Sequence, residues 1–396
     1  MGLFIPQDKL QNLKLYKYSS EDQSLITKYL LKSWWNTFVK IFPLWVAPNV
    51  ITLGGLGFVI ANLLVVFYYD PYLNSECPRW CYFFYAFGLF MYQTFDGCDG
   101  CHARRTGQSG PLGELFDHSI DAINTTLGAI IFGSALKLGY GPLLMTSLFA
   151  STCNFYASTW EEYHTHTLFL SKFSGPVEGI LMICGVYIMT GIFGPDLWNQ
   201  ELFKLDLSFI NSDWKVVHVN TSIIYVILGI SSLYFNIISA MQNVKEHYEL
   251  KFHHSERSEE GADNAYHGLY PFFIYWTSVI FYIWCFPQVM TDYGFPLVIS
   301  VGSTIAFSVG RMILAHVTLQ KFPFIQYPMF VPMGQLIISM VLINIYKYNT
   351  DKVLNSVSWL GCGLCIGIHA FFFAEIIHDI TGYLDIYALS IKHKRA

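Results

Sequence analysis

Ten apolar segments, each long enough to cross a lipid bilayer, constrain this chain more than any other feature of its sequence. Of its 396 residues, 53% are hydrophobic and only 13% are charged, whereas about 25% of a soluble domain is charged. A spanning helix needs about 20 apolar residues. The segments lie near residues 51–69, 79–96, 122–139, 142–159, 176–194, 217–240, 268–287, 294–315, 328–347 and 356–377. The sequence therefore predicts an all-α, polytopic membrane protein with about ten transmembrane helices.

The segment that precedes the first span is predicted to lie on the membrane surface. Within residues 27–47, Trp and Phe side chains recur at helical spacing and are interleaved with Lys28, Lys32 and Lys40. Aromatic side chains on one face and lysines between them are typical of an interfacial amphipathic helix. Thr52, which follows this segment, is a candidate cap for the start of the first span.

The spans are predicted to form one membrane domain, since no internal repeat or low-complexity tract divides them. We expect an N-terminal cytosolic segment with the interfacial helix over 1–47 and a membrane domain over 48–387. The functional core of that domain is expected at about 48–195, and a basic cytosolic tail at 388–396. The nine cysteines are an odd number and lie mostly within spans, so no disulfide framework is expected.

Basic residues are distributed unevenly between the two sides that ten spans define. The side that carries both termini collects 17 of the 23 Lys and Arg residues. Short cytosolic loops of membrane proteins carry such an excess. Both termini, and the loop near residue 108, are therefore expected to face the cytosol. The net charge of −5 is small, and no basic stripe indicates a nucleic-acid partner.

Four aspartates concentrate at the predicted cytosolic ends of the second and third spans. Asp96 and Asp99 precede the turn sequence GQSGPLG, and Asp117 and Asp121 follow it. Carboxylates at a membrane span are candidates for function, because hydrocarbon penalises charge heavily. At about 100° per helical residue, each pair lines one face of its helix. The two faces could converge on a divalent cation such as Mg²⁺, which takes oxygen ligands.

The alternative is a polar helix contact in which the carboxylates pair with Arg104 and Arg105. Two arginines cannot neutralise four aspartates and Glu114, so a cation is the favoured partner. Two metal ions bridged by carboxylates could bind a diphosphate during an in-line displacement. Gly100 and Ala103 would leave room for a nucleotide against the helix, and Arg104 could bind its phosphate oxygens.

The spacing of these residues resembles the signature of a known family. The pattern D-x₂-D-G-x₂-A-R-x₈-G-x₃-D-x₃-D has eight fixed positions over the 26 residues 96–121 and resembles that of the CDP-alcohol phosphotransferases. The segments FIPQDKLQNLKLYKY, PLWVAPNVIT, STWEEYHTHTLFL and LDIYALSIK are similar to the eukaryotic cholinephosphotransferases and ethanolaminephosphotransferases, particularly those of yeasts. The resemblance covers essentially the whole chain.

The resemblance implies a reaction and a role for each residue of the signature. A pair of Mg²⁺ ions, with Mn²⁺ as the alternative ion, would be held by Asp96, Asp99, Asp117 and Asp121. The CDP moiety would lie near Asn49, Gly100, Ala103, Arg104 and Gly113. The implied reaction is attack by the free hydroxyl of diacylglycerol on the β-phosphate of CDP-choline or CDP-ethanolamine, which releases CMP. The implied enzyme works among membrane lipids as a homodimer.

Two residues compete for the role of the general base. The resemblance implies that Asp121 takes the proton of the acceptor hydroxyl. A carboxylate that is fully occupied by metal would be a poor base, however, and Glu114 and His118 lie four residues apart on a flank next to the aspartate face. A histidine oriented by Glu114 is therefore a second candidate. The alternative for His118 is a polar packing role.

Two other functions are weighed against this one. An enzyme of the same family that uses CDP-diacylglycerol and a small alcohol would be expected to have fewer spans. A cation transporter would also place carboxylates inside a helical bundle. Transporters often contain inverted repeats and broken helices near the membrane midplane, whereas these aspartates lie at the end of a span.

The tail and the segment after the fourth span carry weaker signals. The C-terminal KHKRA has the pattern of a dilysine retrieval signal, which would favour the endoplasmic reticulum membrane, with the Golgi as an alternative. The three basic residues are equally typical of a positive-inside flank. Trp160 and Tyr163 could surround a quaternary ammonium group, but an interfacial aromatic belt is favoured. His164 and His166 are predicted to be interfacial polar groups rather than ligands. His316, in the eighth span, is predicted to pair within the bundle, to line a lipid entrance or to form a dimer contact.

Overall fold

Helices account for nearly all of the regular structure in the computed structural model, which describes residues 2–170, 175–205, 217–253 and 256–392. Ten principal helices are labelled α1 to α10 in chain order. They are α1 Pro48–Tyr69, α2 Arg79–Thr106, α3 Pro111–Ala135, α4 Pro142–Thr165, α5 Pro176–Phe193, α6 Thr221–Lys251, α7 Tyr270–Cys285, α8 Gly294–Thr318, α9 Val331–Met340 and α10 Thr350–Leu384. Each predicted span coincides with one of these helices, so the predicted all-α membrane architecture is confirmed.

Short elements extend or connect the principal helices. The α-helical ones are Gln7–Leu10, Lys32–Phe38, Glu256–Tyr266 and Gln288–Thr291. The 3₁₀ turns are Gln11–Lys14, Val39–Ile41, Pro195–Asn199, His267–Leu269 and Tyr327–Phe330, and the π turns are Thr27–Leu31 and Val341–Ile345. Strand β1 (Ser20–Asp22) pairs in parallel with β2 (Leu168–Leu170), and β3 (Glu201–Leu205) pairs antiparallel with β4 (Val217–Asn220). The sixth span was predicted from residue 217, but its first four residues form β4.

Not all of the helices are equally apolar. Within the described residues, seven helical stretches have the length and composition of membrane spans: Pro48–Tyr69, Pro176–Phe193, Thr221–Lys251, Arg257–Cys285, Gly294–Thr318, Tyr327–Ile345 and Thr350–Leu384. The other three principal helices, α2 to α4, are more polar, and they carry the aspartates and several buried histidines and glutamates. The polar residues of the bundle are thus concentrated in three neighbouring helices.

Helix α8 forms the centre of the bundle. In its apolar stretch 83% of the residues are buried, against 17–39% in the other six spans. It packs against α3, α4 and α10. The approach to α3 is close at Gly302, where an added Cβ atom would lie 2.3 Å from the Thr126 side chain. This contact holds α3, and therefore Asp117 and Asp121, against the rigid interior of the protein.

A helical segment lies before α1, where an interfacial helix is predicted. It consists of a π turn at Thr27–Leu31 followed by the α-helix Lys32–Phe38. Its aromatic side chains are not all directed to lipid, because Phe38 packs against Phe95 of α2 at 6.0 Å between ring centroids. The prediction that Thr52 caps the first span is wrong. Helix α1 begins at Pro48, the first helical position for which proline is well suited.

The close contact at Gly302 leads to a prediction about stability. We expect Gly302→Ala to destabilise the protein by about 1–3 kcal/mol, because the new methyl group would overpack the contact with Thr126. The measurement is the thermal unfolding midpoint of the purified protein in detergent.

Gly363 of α10 provides the matched control, since an added Cβ there would meet no atom within 4 Å. Gly363→Ala should leave the midpoint unchanged or raise it, because alanine favours a helix by about 0.8–1 kcal/mol. Equal midpoints for the two variants would contradict the proposed close packing of α3 on α8.

Candidate metal centre

A tight turn between α2 and α3 brings the two pairs of aspartates together. Helix α2 ends because Gly107 adopts a left-handed conformation with φ of 66°. The Gln108 N–H then donates to the Ala103 carbonyl at 2.9 Å. Pro111 occupies the first position of α3, where its missing N–H costs no helical hydrogen bond. The glycine and the proline of this loop thus allow the chain to reverse within four residues of Gly107.

Three of the four aspartates form a compact cluster. Oxygen atoms of Asp96, Asp99 and Asp117 all lie within 4.8 Å of one another. The Asp117 Oδ1 atom is buried and has no hydrogen-bond donor among the described residues. Buried polar atoms are nearly always paired, and hard divalent cations take carboxylate oxygens as ligands. The donor set and the unpaired oxygen therefore fit a divalent cation.

Neighbouring polar side chains orient the carboxylates. The Thr52 hydroxyl of α1 donates to Asp99 Oδ2 at 2.5 Å. The Gln93 amide donates to Asp96 Oδ2 at 3.3 Å. Such outer groups keep a metal ligand in one orientation. Thr52 was expected only as a helix cap, and Gln93 carried no recognisable signal in the sequence.

Asp121 differs from the other three aspartates. It lies one turn further along α3 than Asp117, and its Oδ1 accepts a hydrogen bond from the Tyr92 hydroxyl. Tyr92 is 2% exposed, so this contact is shielded from solvent. One oxygen of Asp121 is therefore engaged by a protein donor, which limits how many of its lone pairs a cation could use.

The arginines next to the cluster do not neutralise it. The Arg104 guanidinium donates to Cys101 Sγ at 3.3 Å, and Arg105 donates to the Val39 carbonyl oxygen. In the part of the chain that the structure describes, neither arginine forms an ion pair with an aspartate. The predicted alternative, a cluster closed by Arg104 and Arg105, is therefore not the arrangement found. Arg104 is exposed beside the site.

The small residues of the signature leave space on this side of the aspartates. An added Cβ atom at Gly113 would meet nothing within 4 Å, and one at Gly100 would meet only Arg104 Nη1 at 3.5 Å. Ala103 is partly buried on the same helix. Asn49 is 8% exposed at the start of α1, and its amide donates to the Ala388 carbonyl at 2.9 Å. The contact with nucleotide predicted for these residues stays a prediction.

The structure gives His118 a different partner from the one expected. The prediction that the Glu114 carboxylate orients His118 is wrong, because His118 Nε2 lies 3.0 Å from Glu162 Oε2 of α4. His118 Nδ1 faces the Glu114 backbone carbonyl at 3.1 Å. Glu114 Oε1 instead lies 3.5 Å from His316 Nε2 of α8. Side chains four residues apart can meet on one helix face, but here the neighbouring helices supply the partners.

The side chains that follow the fourth predicted span make contacts within the protein, and Trp160 is buried among them. Trp160 is completely buried, and its Nε1 donates to the Ala265 carbonyl at 2.8 Å. The predicted aromatic belt is therefore wrong for Trp160, and the indole also does not form an open cage for an ammonium group. The Tyr163 hydroxyl donates to the Gln320 carbonyl at 2.8 Å. Both side chains stabilise the connection between helices at this end of the bundle. All nine cysteines are free, as the sequence indicated.

Comparison with known proteins identifies related chains. The profile of the CDP-alcohol phosphatidyltransferase family matches residues 45–204, which include all four aspartates. The chain is 49% identical to choline/ethanolaminephosphotransferase 1 and 46% identical to cholinephosphotransferase 1 of Saccharomyces cerevisiae, in both cases over 100% of each chain. It is 34% identical to choline/ethanolaminephosphotransferase 1 of Arabidopsis thaliana, over 97% of each chain.

The hydrogen bond between Thr52 and Asp99 leads to a prediction about cation affinity. Thr52→Val keeps the shape of the side chain but removes the donor at 2.5 Å from Asp99. We expect the affinity for a divalent cation to fall about 10- to 100-fold, as is usual when an outer partner of a ligand is lost. The measurement is binding of Mn²⁺ to the purified protein, followed by electron paramagnetic resonance.

Thr146→Val is the control, since the Thr146 hydroxyl donates to the carbonyl of Pro142 in its own helix α4. It should bind Mn²⁺ with unchanged affinity. Unchanged affinity in Thr52→Val as well would mean that Asp99 is not a ligand of the cation.

Proposed function

The chain belongs to the CDP-alcohol phosphatidyltransferase family, and we propose that it transfers phosphocholine or phosphoethanolamine to the free hydroxyl of diacylglycerol. The donors are CDP-choline and CDP-ethanolamine, and the products are CMP and phosphatidylcholine or phosphatidylethanolamine. The observation that carries this conclusion is the cluster of Asp96, Asp99 and Asp117 with its unpaired buried oxygen. It lies in a chain that matches choline/ethanolaminephosphotransferase 1 of yeast over its full length.

We propose that the divalent cations are Mg²⁺, held by Asp96, Asp99 and Asp117, with Asp121 as a further ligand and Mn²⁺ as an alternative ion. When bound, such a pair of ions supplies the positive charge that stabilises a diphosphate during displacement. The protein supplies orientation, since Thr52 holds Asp99 and Tyr92 holds Asp121. Arg104 and the open space at Gly100, Ala103 and Gly113 would accommodate the phosphates of the CDP moiety, with Asn49 nearby.

The general base is assigned to Asp121, with His118 as the competing candidate. Asp121 accepts from Tyr92 with one oxygen, so it would act as the base through its other oxygen, at a stage when no cation holds that oxygen. Both ring nitrogens of His118 face oxygen acceptors, at 3.1 and 3.0 Å. When its ring is charged, a histidine between two acceptors donates a hydrogen bond to each of them. Such a ring keeps its proton and does not accept another one. This geometry favours Asp121.

The location of the reaction follows from the same proposal. The donors dissolve in water, whereas diacylglycerol reaches the site sideways from the bilayer. We propose that the site faces the cytosol from the endoplasmic reticulum membrane, with the Golgi as an alternative, because the basic residues are concentrated on that side. Residues 393–396 of the KHKRA tail lie outside the described residues. The proposal of a homodimer rests on the resemblance alone.

The activity itself is tested by release of labelled CMP from CDP-choline and CDP-ethanolamine in vesicles that contain diacylglycerol. We expect release with Mg²⁺ and none when the metal is chelated. Asp117→Ala and Asp121→Ala should abolish turnover, because each removes a carboxylate of the site. Release without metal, or no release at all, would contradict the proposed function.

Asp196→Ala is the control for the loss of an aspartate. Asp196 forms an exposed ion pair with Lys137 at 3.2 Å, away from the site, and exposed pairs contribute little to stability. This variant should turn over like the unchanged protein. The relative rates with the two donors would also measure the preference for choline or ethanolamine.

The assignment of the base is tested by His118→Gln. If Asp121 is the base, this variant should keep turnover within about tenfold of the unchanged protein, because an amide can still occupy the space between the two acceptors. His218→Gln, which alters an exposed pair with Glu201 at 2.7 Å, is the control. A loss of about 100-fold or more, with binding of Mn²⁺ and CDP-choline intact, would transfer the role of base to His118.

A further inference from the structure

A second group of ionisable side chains lies beside the aspartates and is not needed to bind a diphosphate. Side-chain atoms of Glu114, Glu162 and His316 lie within 4.8 Å of one another. The three residues come from helices α3, α4 and α8 and are 8%, 2% and 8% exposed, respectively. Burial of two carboxylates is costly unless they are paired, so their contacts indicate what the group can do.

The contacts form a series that leads outwards. His118 Nε2 lies 3.0 Å from Glu162 Oε2. Glu114 Oε1 lies 3.5 Å from His316 Nε2, at ion-pair distance and without a hydrogen bond among the described residues. On the far side of the same ring, His316 Nδ1 lies 3.1 Å from Nδ1 of His166. His166 is exposed to solvent. The series therefore begins beside the aspartate site and ends at the surface.

The backbone holds the outer end of the series in place. His166 follows the last residue of α4 and adopts a left-handed conformation with φ of 54°. Its N–H donates to the Glu162 carbonyl at 2.8 Å. The turn therefore places His166 just beyond Glu162 in the series, and the His166 ring faces His316. Tyr16 of the N-terminal segment covers the other side of His316, with ring centroids 6.5 Å apart.

The transfer reaction creates a need for such a series. When the acceptor hydroxyl becomes a phosphoester oxygen, its proton must leave the base before the next turnover. The CDP-alcohol occupies the polar approach to the aspartates during the transfer. A proton released there needs a second way out through the protein, and ionisable groups with pKa values near neutrality are the usual carriers.

We propose that Glu162, Glu114, His316 and His166 form a relay that carries the hydroxyl proton from the active site to the solvent. This inference rests on the proposed function, and Glu162 is the member of the relay nearest the aspartate site, with His118 Nε2 3.0 Å from its Oε2 atom. Glu162 passes the proton to Glu114 through a water molecule between the two carboxylates. The protonated Glu114 carboxyl then gives a proton to His316 Nε2, while His316 gives its Nδ1 proton to His166 Nδ1. His166 then releases its Nε2 proton to water. One proton enters the relay and one leaves it. Tautomerisation of the two imidazole rings then restores their initial protonation.

The surroundings suit His166 for the last step. Partial desolvation, and then the nearby Lys251 ammonium group, lower the pKa of His166 below its ordinary value. The lowered pKa favours the neutral ring, which can accept a proton and release it again. Carboxylate oxygens of Glu114 and Glu162 lie within 4.8 Å of each other. A single water molecule can bridge this distance.

The test uses the full-length protein in vesicles and initial rates at saturating CDP-choline in dilute buffer. We expect His166→Ala to lower kcat about tenfold and to leave KM for CDP-choline unchanged, since His166 is remote from the nucleotide. Added imidazole, a small proton carrier, should restore kcat in a saturable manner. The solvent deuterium isotope effect on kcat should rise in the variant and fall again with imidazole.

His164→Ala is the matched control, because His164 lies two residues away and contacts Tyr248 at 3.1 Å rather than the relay. It should show no response to imidazole. His316→Gln, checked for folding by its unfolding midpoint, should reproduce the loss in kcat seen in His166→Ala.

The relay would be overturned if His166→Ala turned over normally in dilute buffer, or if its loss did not respond to imidazole. Recovery with Zn²⁺ instead would also overturn it, since that result would make the group a metal site. Absence of CMP release in the unchanged protein would be a failure of the proposed function and is a separate result.

Discussion

The concentration of carboxylates at one end of a membrane bundle is the constraint on which the rest of the structure depends. Asp96, Asp99 and Asp117 lie within 4.8 Å of one another, and such an arrangement is strongly unfavourable at the edge of hydrocarbon unless a cation compensates for it. The short turn at Gly107 forces the two helices to share this site. The close contact of α3 with α8 at Gly302 then holds the α3 aspartates against the interior of the bundle.

Different helices around this site supply its polar side chains. Helix α1 supplies Thr52, α2 supplies Tyr92 and α3 supplies the third and fourth aspartates. The neighbouring Glu162 and His316, from α4 and α8, have histidine partners of their own, His118 and His166. The cluster of aspartates and the group of glutamates and histidines therefore lie side by side as two separate sets of contacts.

Much of the architecture was predictable because the membrane simplifies the problem. Every spanning segment must satisfy its own backbone hydrogen bonds, so an apolar segment of sufficient length could only be a helix. The periodicity of the aspartates also predicted their common face. The partner of His118 could not be predicted in this way, because Glu162 lies 44 residues away and only the packing of α4 on α3 brings it close. The role of Thr52 was missed for the same reason.

The sequence by itself determined the membrane class, the ten helices, the four aspartates and the family. Each of these depends on the composition or spacing of residues near one another in the chain. The contacts between helices depend on the tertiary structure: Thr52 with Asp99, Tyr92 with Asp121, and His316 with Glu114 and His166. The physical reason is that hydrogen bonds between helices depend on packing and rotation, which no local pattern encodes.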